Sequence, residues 1–332
     1  MNYKLQRFLL MTLDPVHIGT GGYRLGRVDN SIVREPGTKL PKIPGTSLNG
    51  AIRAYAAYRY ESPQCAGQGS ESQNTDYEGH CGEKECPICY TFGSLKTKNE
   101  NGDQQAYAGV VNFFDAHVLF FPVHSMAGPV WVSTSSHLRD WNVLSENDNE
   151  VNLEDGQFVT SLDWDKPLNL GWLMLEKDQT TPMPDLSIPF DDENKENERT
   201  WNAIKGRLVL VTDKVFSQIV NSNLEVRTSV AIDPTTGAAQ EGALFTYEAI
   251  PRATWLVTDV VEDCYRTDSF PKDAKSKVHQ RELGWQTPLD VVTSGLRLTE
   301  HLGVGGMGTR GFGRVRLLTD WTLSSTKGEQ DG

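Results

Sequence analysis

The sequence lacks any apolar run that approaches the ~20 residues needed to cross a lipid bilayer. Its first residues, MNYKLQRFLLMTLDP, hold only a short apolar stretch with no small-residue cleavage site, so we expect a strand there and not a secretion signal. Internal repeats with a period of roughly 20–50 residues are also missing, which argues against a solenoid. These absences predict a cytoplasmic protein with one large domain that carries insertions, or with two smaller domains.

An excess of basic charge, which nucleic-acid-binding proteins often show, is missing as well. The chain has 44 acidic and 32 basic side chains and a net charge of −12. Residues 144–198 hold fifteen of the acidic side chains against three lysines, which accounts for the whole net charge. The rest of the chain is balanced, so the overall acidity does not exclude a basic groove elsewhere.

Cysteine is scarce, since the chain has only five, and four of them fall between residues 65 and 89. In a chain without a secretion signal, such clustering favours a metal site over disulfides. The spacing Cys81-x4-Cys86-x2-Cys89 is typical of a tetrahedral Zn²⁺ site with a structural role. The fourth ligand is either Cys65 or His80, and Cys65 is favoured because adjacent residues such as His80 and Cys81 rarely reach one ion without strain.

A loop towards the end of the chain has six glycines between residues 303 and 313, with arginines interleaved. Bare backbone N–H groups can form a concave nest for an anion, and arginines add charge-assisted contacts. No Gly-Lys-Ser/Thr ends the pattern, which excludes the Walker A form, and no clear dinucleotide fingerprint is present. The composition favours phosphate or RNA binding over a plain connection between helix and strand. The candidate contacts are Gly305, Gly306, Gly308, Arg310, Gly311, Gly313 and Arg314.

The segment KIPGTSLNGAIRAYAAYRY predicts a helix that begins at its Pro-Gly turn. At such a helix start the backbone N–H groups of Gly45, Thr46 and Ser47 have no helical acceptor, so we expect them to bind a phosphate. Asn49 and Arg53 lie one turn apart and are expected to face the same side of the helix.

Three blocks of the sequence, taken in order, resemble the RAMP superfamily. They are MTLDPVHIGTGG at residues 11–22, GRVDNSIVREPGTKLPKIPGTSLNGAIR at 26–53 and GVGGMGTRGFGRV at 303–315. More narrowly, they are similar to the backbone subunits of type III CRISPR effector complexes. Zinc-binding insertions are a feature of some of these subunits, particularly the subtype D and E relatives, so the cysteine-rich insertion hints at a subtype D-like member.

The resemblance implies an α+β fold with a modified RRM-like or ferredoxin-like core of βαββαβ order. The run VRTSVAIDPTTGAAQEGALFTYEAIP resembles the thumb hairpin of the family, in which Arg227, Ile232, Leu244 and Phe245 are candidate contacts of the RNA duplex. The expected boundaries are 1–60, 94–143, 206–223 and 256–323 for the core, 61–93 for the zinc-binding insertion, 144–205 for the acidic insertion, 224–255 for the thumb and 324–332 for a flexible tail.

The resemblance also implies a function. The chain would bind the backbone of a CRISPR guide RNA and assemble with complementary target RNA, other effector subunits and further backbone subunits. Within that complex it would act as an endoribonuclease that needs Mg²⁺ or Mn²⁺ and cuts the target RNA at intervals of about six nucleotides. A non-catalytic guide-RNA scaffold is one alternative. A CRISPR-RNA processing endoribonuclease is another, although the long hairpin argues against it.

Asp29 occupies the position where cleaving members of the family carry their essential aspartate. The resemblance implies that the 2′-hydroxyl of the target attacks the adjacent phosphate, and the carboxylate either holds the ion or orients or deprotonates that hydroxyl. A turn-capping role is the alternative, because Asn30 follows directly. His17 and Gly19, which follow the first strand, are further candidate RNA contacts, although a lone histidine is more often structural.

Overall fold

The computed structural model describes residues 3–21, 28–67, 80–81, 86–98, 104–144, 151–190, 195–263 and 286–323. Cys264 and the predicted tail at 324–332 lie outside these described residues. Within the described ranges, no helix is long and apolar enough to cross a membrane.

The described chain is a mixture of helices and strands with a large sheet at its centre. The helices are α1 (Gly45–Arg59), α2 (Pro87–Phe92), α3 (Ser135–Asp140), α4 (Lys195–Lys205), α5 (Asp213–Ser222) and α6 (Pro288–Leu302). The strands are β1 (Tyr3–Thr12), β2 (Lys42–Ile43), β3 (Gly93–Lys98), β4 (Gln104–Ala108), β5 (Val111–Phe113), β6 (Ala116–Ser125), β7 (Gly128–Ser133), β8 (Gln157–Thr160), β9 (Leu168–Leu170), β10 (Leu173–Lys177), β11 (Leu208–Leu210), β12 (Glu225–Ile232), β13 (Ala239–Ala249), β14 (Trp255–Asp263) and β15 (Val315–Leu323).

The main sheet runs in the order β15-β1-β14-β6-β7-β11-β8-β10-β9. Beside this order, β2 pairs with β6 and β5 pairs with β14. Strand β1 pairs antiparallel with both β14 and β15. Its residues Phe8, Leu9 and Leu10 are fully buried, because apolar clusters cover both faces of the sheet at this point. An unbroken apolar run at the start of the sequence therefore forms a strand near the centre of the core.

Four strands of this sheet and two helices form a single βαββαβ unit. In chain order, β1, α1, β6, β14, α6 and β15 make a βαββαβ series, and the sheet arranges these strands as fourth, first, third and second. Helices α1 and α6 pack against each other over the same apolar cluster. Their backbones come so close that a Cβ on Gly295 of α6 would lie 2.3 Å from the carbonyl oxygen of Ile52 in α1.

The acidic segment 144–205 is built into the main sheet through its apolar residues. It contributes β8, β9 and β10 beside β11. Phe158, Leu168 and Leu170 are fully buried in the core, while Asp163 and Asp165 between them are exposed. The carboxylates thus remain in water, and the excess of acidic charge does not prevent the segment from folding onto the core.

Helix α4 ends this segment and covers the second face of the sheet. Trp201 packs against Phe120 and Trp255, with ring centroids 5.7 Å apart in both pairs. The buried amide of Asn197 donates to the carbonyl oxygen of Leu318 in β15 at 2.7 Å. Aromatic packing and this hydrogen bond together fix α4 across the strands.

The hairpin predicted around DPTTG is present as an antiparallel pair of strands, β12 and β13, that forms its own sheet. Ile232 and Leu244 on its outer part are 55% and 66% exposed. At its base the N–H of Asn30 donates to the carbonyl oxygen of Thr246, and the N–H of Glu248 donates to the carbonyl oxygen of Asn30, both at 3.0 Å. The hairpin is therefore joined at its root to the loop that follows β1.

We expect the substitution Gly295→Ala to lower the free energy of unfolding by about 1–3 kcal/mol, because the added methyl group must push two packed helices apart. Gly50→Ala in α1 is the matched control, since nothing lies within 4 Å of a Cβ built there. This control should stabilise the chain by about 0.5–1 kcal/mol, as alanine does in an open helix position. Denaturant titration of both variants checks the pair, and equal effects would contradict the packing argument.

Candidate nucleic-acid interface and metal centre

Asp29 lies in the loop after β1, directly against strand β13. Its Oδ2 accepts hydrogen bonds from the backbone N–H of Thr246 at 2.7 Å and from the Thr246 hydroxyl at 2.9 Å. The N–H of Asp29 donates back to that hydroxyl at 3.1 Å. Because the Thr246 bonds favour the charged form, first the backbone bond and then the side-chain bond, they hold the pKa of Asp29 below its usual value. The structure thus presents an exposed carboxylate, fixed in orientation, at the root of the hairpin.

His17 is a buried side chain that joins the end of β1 to β13. Its Nδ1 lies 2.6 Å from the backbone carbonyl oxygen of Glu248, and since a carbonyl only accepts, Nδ1 carries the hydrogen. The ring meets Tyr247 edge-on with centroids 6.0 Å apart. Gly19 packs beside it, because a Cβ there would lie 3.2 Å from His17 Nε2. Of the roles open from sequence, this placement matches the structural one.

The glycine-rich loop is closed on itself and fixed to the segment after β1. Val304 N–H donates to the carbonyl oxygen of Gly313 at 2.8 Å, and Gly313 N–H donates to that of Pro15 at 2.9 Å. Gly306 N–H donates to the carbonyl oxygen of His17 at 2.9 Å. Gly305 has φ +87° and would place a Cβ 2.6 Å from that same oxygen. These glycines allow backbone to pack on backbone, a requirement that composition alone does not reveal.

The tip of the loop is different, because it is open to solvent. A Cβ on Gly308 or Gly311 would meet nothing within 4 Å, and both residues are exposed. Arg310 and Gly311 use their N–H groups within the loop, since these donate to the carbonyl oxygens of Met307 and Gly308 at 2.8 and 3.2 Å. Gly308 and Thr309 are therefore the residues of the tip that can present backbone N–H groups to a ligand. The loop consequently divides into a packed base, at 303–306 and 313, and an open tip.

The arginines of the loop also divide into two groups. Arg314 is paired with Asp14, and Arg316 is paired with both Glu300 and Glu196. Arg310 has no ion pair among the described residues, and its guanidinium lies 5.6 Å from the ring centre of Phe245 on the hairpin. The arginine at the open tip is therefore the one whose charge is available to an anion.

A small apolar cluster connects the loop to the hairpin. Phe312 meets Tyr247 with ring centroids 5.3 Å apart, and the guanidinium of Arg227 lies 4.6 Å above the Phe312 ring. Arg227 is also paired with Glu225 on its own strand. Of the four predicted thumb contacts, Arg227 and Phe245 thus lie at the side facing the loop, and Ile232 and Leu244 remain exposed.

The start of α1 differs from the sequence-based expectation. Gly45 is buried, and its N–H donates to the Asp115 carboxylate at 2.8 Å. Lys42 neutralises that carboxylate at 2.5 Å. A Cβ on Gly45 would lie 2.5 Å from the carbonyl oxygen of Phe113, so glycine is required here for packing. The expectation of a free Gly45 N–H for phosphate was wrong, because a carboxylate of the chain itself already accepts its hydrogen bond.

The other α1 candidates lie in different surroundings. Thr46 is exposed, and Asn49 is half-buried. Ser47 N–H donates to the carbonyl oxygen of Pro44 at 2.9 Å. Arg53 does not share a free face with Asn49: its Nε donates to the carbonyl oxygen of Cys65 at 2.8 Å and one terminal nitrogen donates to that of Gly93 at 2.9 Å. The expected RNA-facing position of Arg53 is corrected to a position beside the cysteine cluster.

The structure brings four cysteines together: Cys65, Cys81, Cys86 and Cys89. Their ligand atoms all lie within 4.8 Å of one another. Cys65 Sγ lies 3.3 Å from Cys81 Sγ and 3.7 Å from Cys86 Sγ, and Cys81 Sγ lies 3.7 Å from Cys89 Sγ. Four sulfurs at about 2.3 Å from one tetrahedral ion would be about 3.8 Å apart, so the cluster fits a divalent cation with little adjustment.

His80 lies next to this cluster but is not one of the four. Its Nε2 is 3.0 Å from a terminal nitrogen of Arg53, so the ring accepts from the guanidinium. Burial first, and then the Arg53 charge, lower the pKa of His80. The four ligand atoms that lie together are thus those of the cysteines, and the choice of Cys65 over His80 as fourth ligand stays a prediction.

Sequence reasoning missed Thr246, Glu248 and Phe312. Glu248 pairs with Arg34 at 2.7 Å, which fixes the loop after β1 a second time against β13. The contacts of Thr246 and Phe312 depend on pairing between segments that are far apart in sequence. No local pattern marks these residues, although Phe312 lies in the third block of the family resemblance and Thr246 and Glu248 lie in the run that resembles the thumb hairpin.

The chain matches a family model described as the RAMP superfamily over residues 9–316. A curated relative, the CRISPR system Cmr endoribonuclease Cmr4 of Pyrococcus furiosus, is 29% identical over 271 residues, which are 74% of this chain and 77% of that protein. Among solved structures, a chain of the type III-B Cmr-beta complex in the apo state gives a TM-score of 0.57 at 16% identity, over 94% of this chain and 96% of that one.

A chain of the same complex bound to cognate target RNA gives a TM-score of 0.56 at 15% identity, over 95% of this chain and 97% of that one. At these identities the structural likeness concerns the fold. It spans nearly the whole length of both chains.

We expect Cys65→Ser to remove most of the bound metal, because a tetrahedral site that loses one thiolate of four loses much of its affinity. His80→Gln is the matched control and should retain about one ion per chain, since the ring accepts from Arg53 and does not complete the cluster. Elemental analysis of both purified variants beside the unaltered chain checks this. Loss of metal from the histidine variant alone would reverse the assignment.

Proposed function

This chain belongs to the RAMP superfamily, and we propose that it is a backbone subunit of a type III CRISPR effector complex that holds guide RNA and cleaves complementary target RNA. The observation that carries the proposal is the exposed, oriented carboxylate of Asp29 at the root of the hairpin. The proposal is also supported by the relative named as a Cmr endoribonuclease, which aligns over 74% of this chain. The subtype D-like assignment stays a prediction, since the relatives described above are Cmr proteins.

The βαββαβ order of the central strands supports a modified RRM-like core. In this proposal, the core is a scaffold that carries three functional segments: the tip of the glycine-rich loop, the loop after β1 with Asp29, and the hairpin. All three meet around β13, which contacts Asp29, Arg310 and Phe312 through its own residues. A subunit that is repeated along a guide needs these parts in one rigid unit.

The open tip of the glycine-rich loop is the proposed contact with the guide backbone. Gly308 and Thr309 can present backbone N–H groups, and Arg310 supplies a positive charge that no described carboxylate neutralises. Backbone N–H groups and an arginine recognise phosphate without reading base identity. Such a surface suits a subunit that must accept any guide sequence, with sequence recognition left to base pairing. Thr46, exposed at the start of α1, is a second candidate contact.

For Asp29 we propose that it holds a divalent ion, rather than deprotonating the 2′-hydroxyl. Both Thr246 bonds go to Oδ2, so Oδ1 remains for a ligand. The same bonds lower the pKa of Asp29, which keeps the carboxylate charged and makes it a weaker base. One carboxylate is enough for Mg²⁺ or Mn²⁺ only when substrate phosphates complete the shell. The ion would neutralise charge that develops on the scissile phosphate.

The alternative of a CRISPR-RNA processing enzyme with a histidine base gains no support from this arrangement. His17 is buried, and its Nδ1 donates to the carbonyl oxygen of Glu248.

The hairpin tip, with Ile232 and Leu244 exposed, suits a wedge that separates bases of a duplex. A guide–target duplex offers such bases.

For the cysteine cluster we propose structural Zn²⁺. Four thiolates leave no open position for a substrate, so the ion would hold the insertion and would not take part in catalysis. Cys65 lies in a turn after α1, and Cys86 and Cys89 lie at the start of α2. One ion would therefore join two segments of a polar insertion that has few apolar residues of its own.

We expect Asp29→Ala to reduce target-RNA cleavage by the assembled complex at least about 100-fold, because the ion loses its protein ligand. Guide binding, target binding and assembly should persist, since the side chain is exposed. Single-turnover cleavage of guide-complementary RNA in Mg²⁺ or Mn²⁺ checks the rate. An assembled Asp29→Ala complex that cuts at the normal rate would remove Asp29 from the mechanism, and a wild-type complex that binds without cutting would support the scaffold alternative.

A milder pair of variants tests how Asp29 is held. Thr246→Val keeps the backbone donor but loses the hydroxyl, so we expect cleavage to fall by about five- to tenfold and to require a higher Mg²⁺ concentration. Thr246→Ser restores the hydroxyl and should restore both. If the valine and serine variants behave alike, the hydroxyl does not orient Asp29.

Arg310→Gln should weaken guide-RNA binding and reduce the slope of log affinity against log salt by about 0.7, the value for one phosphate contact on a single strand. Arg314→Gln is the matched control, since Asp14 already neutralises Arg314, and it should change the slope much less. Binding titrations of the full chain at several salt concentrations measure both. An equal loss of slope in the two variants would contradict the division of the loop into a packed base and an open tip.

A further inference from the structure

Arg53 in α1 makes hydrogen bonds both with the turn that carries Cys65 and with the end of α2. Its Nε donates to the carbonyl oxygen of Cys65, at 2.8 Å. One terminal nitrogen donates to the carbonyl oxygen of Gly93, at 2.9 Å, and the other lies 3.4 Å from that of Phe92. The planar guanidinium thus bridges the turn that carries Cys65 and the end of α2, the helix that carries Cys89.

The charge of Arg53 is placed where a metal centre needs it. Four thiolates around one divalent cation have a net charge of two negatives in a largely buried position. A buried charge of this kind requires a compensating partner or hydrogen bonds. Arg53 supplies a permanent cation, and its fork of donors is already oriented by carbonyl groups on both sides of the cluster.

Helix α1 is also hydrogen-bonded to the start of the glycine-rich loop. Two residues after Arg53, the hydroxyl of Tyr55 donates to the carbonyl oxygen of Gly303 at 2.5 Å. Gly303 in turn begins the packed base of the loop, which is fixed to His17 and Pro15. Helix α1 is therefore tied to the cysteine cluster by Arg53 and to the loop by Tyr55.

We propose that Arg53 is a positioning residue of the metal centre: it compensates the charge of the four-cysteine site and clamps α1 to it, so that the bound ion sets the position of α1 and of the loop start at Gly303. This inference rests on the metal proposed above and is independent of RNA cleavage. In this proposal Arg53 does not contact RNA and instead acts through the metal site that it stabilises.

The test uses the full chain and three variants of α1. Arg53→Gln removes the charge, Arg53→Lys keeps the charge without the planar fork, and Arg59→Gln removes an exposed charge from the last turn of the same helix. Competition with a chromophoric chelator gives the Zn²⁺ affinity of each. Loss of a residue that supports metal ligands typically costs about 10–100-fold in affinity. We expect that loss for Arg53→Gln, a smaller one for Arg53→Lys and none for Arg59→Gln.

Amide hydrogen exchange supplies a readout that a merely local role would not move. In the unaltered chain, removal of Zn²⁺ should speed exchange in α1 and at residues 303–306. In Arg53→Gln, exchange at 303–306 should already be fast with Zn²⁺ present, and in Arg59→Gln it should match the unaltered chain.

Unchanged Zn²⁺ affinity in Arg53→Gln would overturn the proposal, and a lower salt slope of RNA binding in that variant would return Arg53 to the RNA surface. If Arg53→Gln does not fold, Arg53→Lys decides: an affinity and an exchange pattern equal to those of the unaltered chain would overturn the clamp. A chain that holds no Zn²⁺ at all would instead sink the metal assignment, and the cleavage proposal would keep its own test at Asp29.

Discussion

Two backbone hydrogen bonds between Asn30 and strand β13, one in each direction, join the loop after β1 to the hairpin. They place Asp29 beside Thr246, so the orientation of the carboxylate is set by the strand that forms the hairpin. The neighbouring residue Glu248 then fixes His17 through its carbonyl oxygen and Arg34 through its side chain. This short pairing therefore positions the hairpin and the carboxylate relative to each other.

Close approach of backbone to backbone is the second constraint, and three of the glycines that satisfy it lie around the site. Gly295 lets α6 touch α1, Gly45 lets α1 touch the segment at Phe113, and Gly305 lets the loop touch His17. In each place a Cβ would lie within 2.6 Å of a backbone oxygen. Much of the glycine in the family-like blocks thus serves packing, and only the loop tip is free for a ligand.

The charges follow the same division between packing and function. Carboxylates of the chain neutralise Lys42, Arg314 and Arg316, and Arg53 is turned towards the cysteine cluster. Arg310 remains at an exposed position between loop and hairpin. A chain with a net charge of −12 can still present a local positive site, because its acidic excess falls within residues 144–198, the segment whose strands β8, β9 and β10 lie at the far end of the sheet.

The sequence by itself determined the features that depend on short spacing: the clustering of the cysteines, the turn of the hairpin and the glycine-rich loop, while the order of the core elements came from the family resemblance. Only the tertiary structure decided which polar groups are free. Gly45 meets Asp115 from 70 residues away, and Asp29 meets Thr246 from 217 residues away. A local pattern fixes where donors and acceptors stand along the chain, but their partners are chosen when distant strands and helices pack, so Gly45 and Arg53 could be assigned correctly only from the fold.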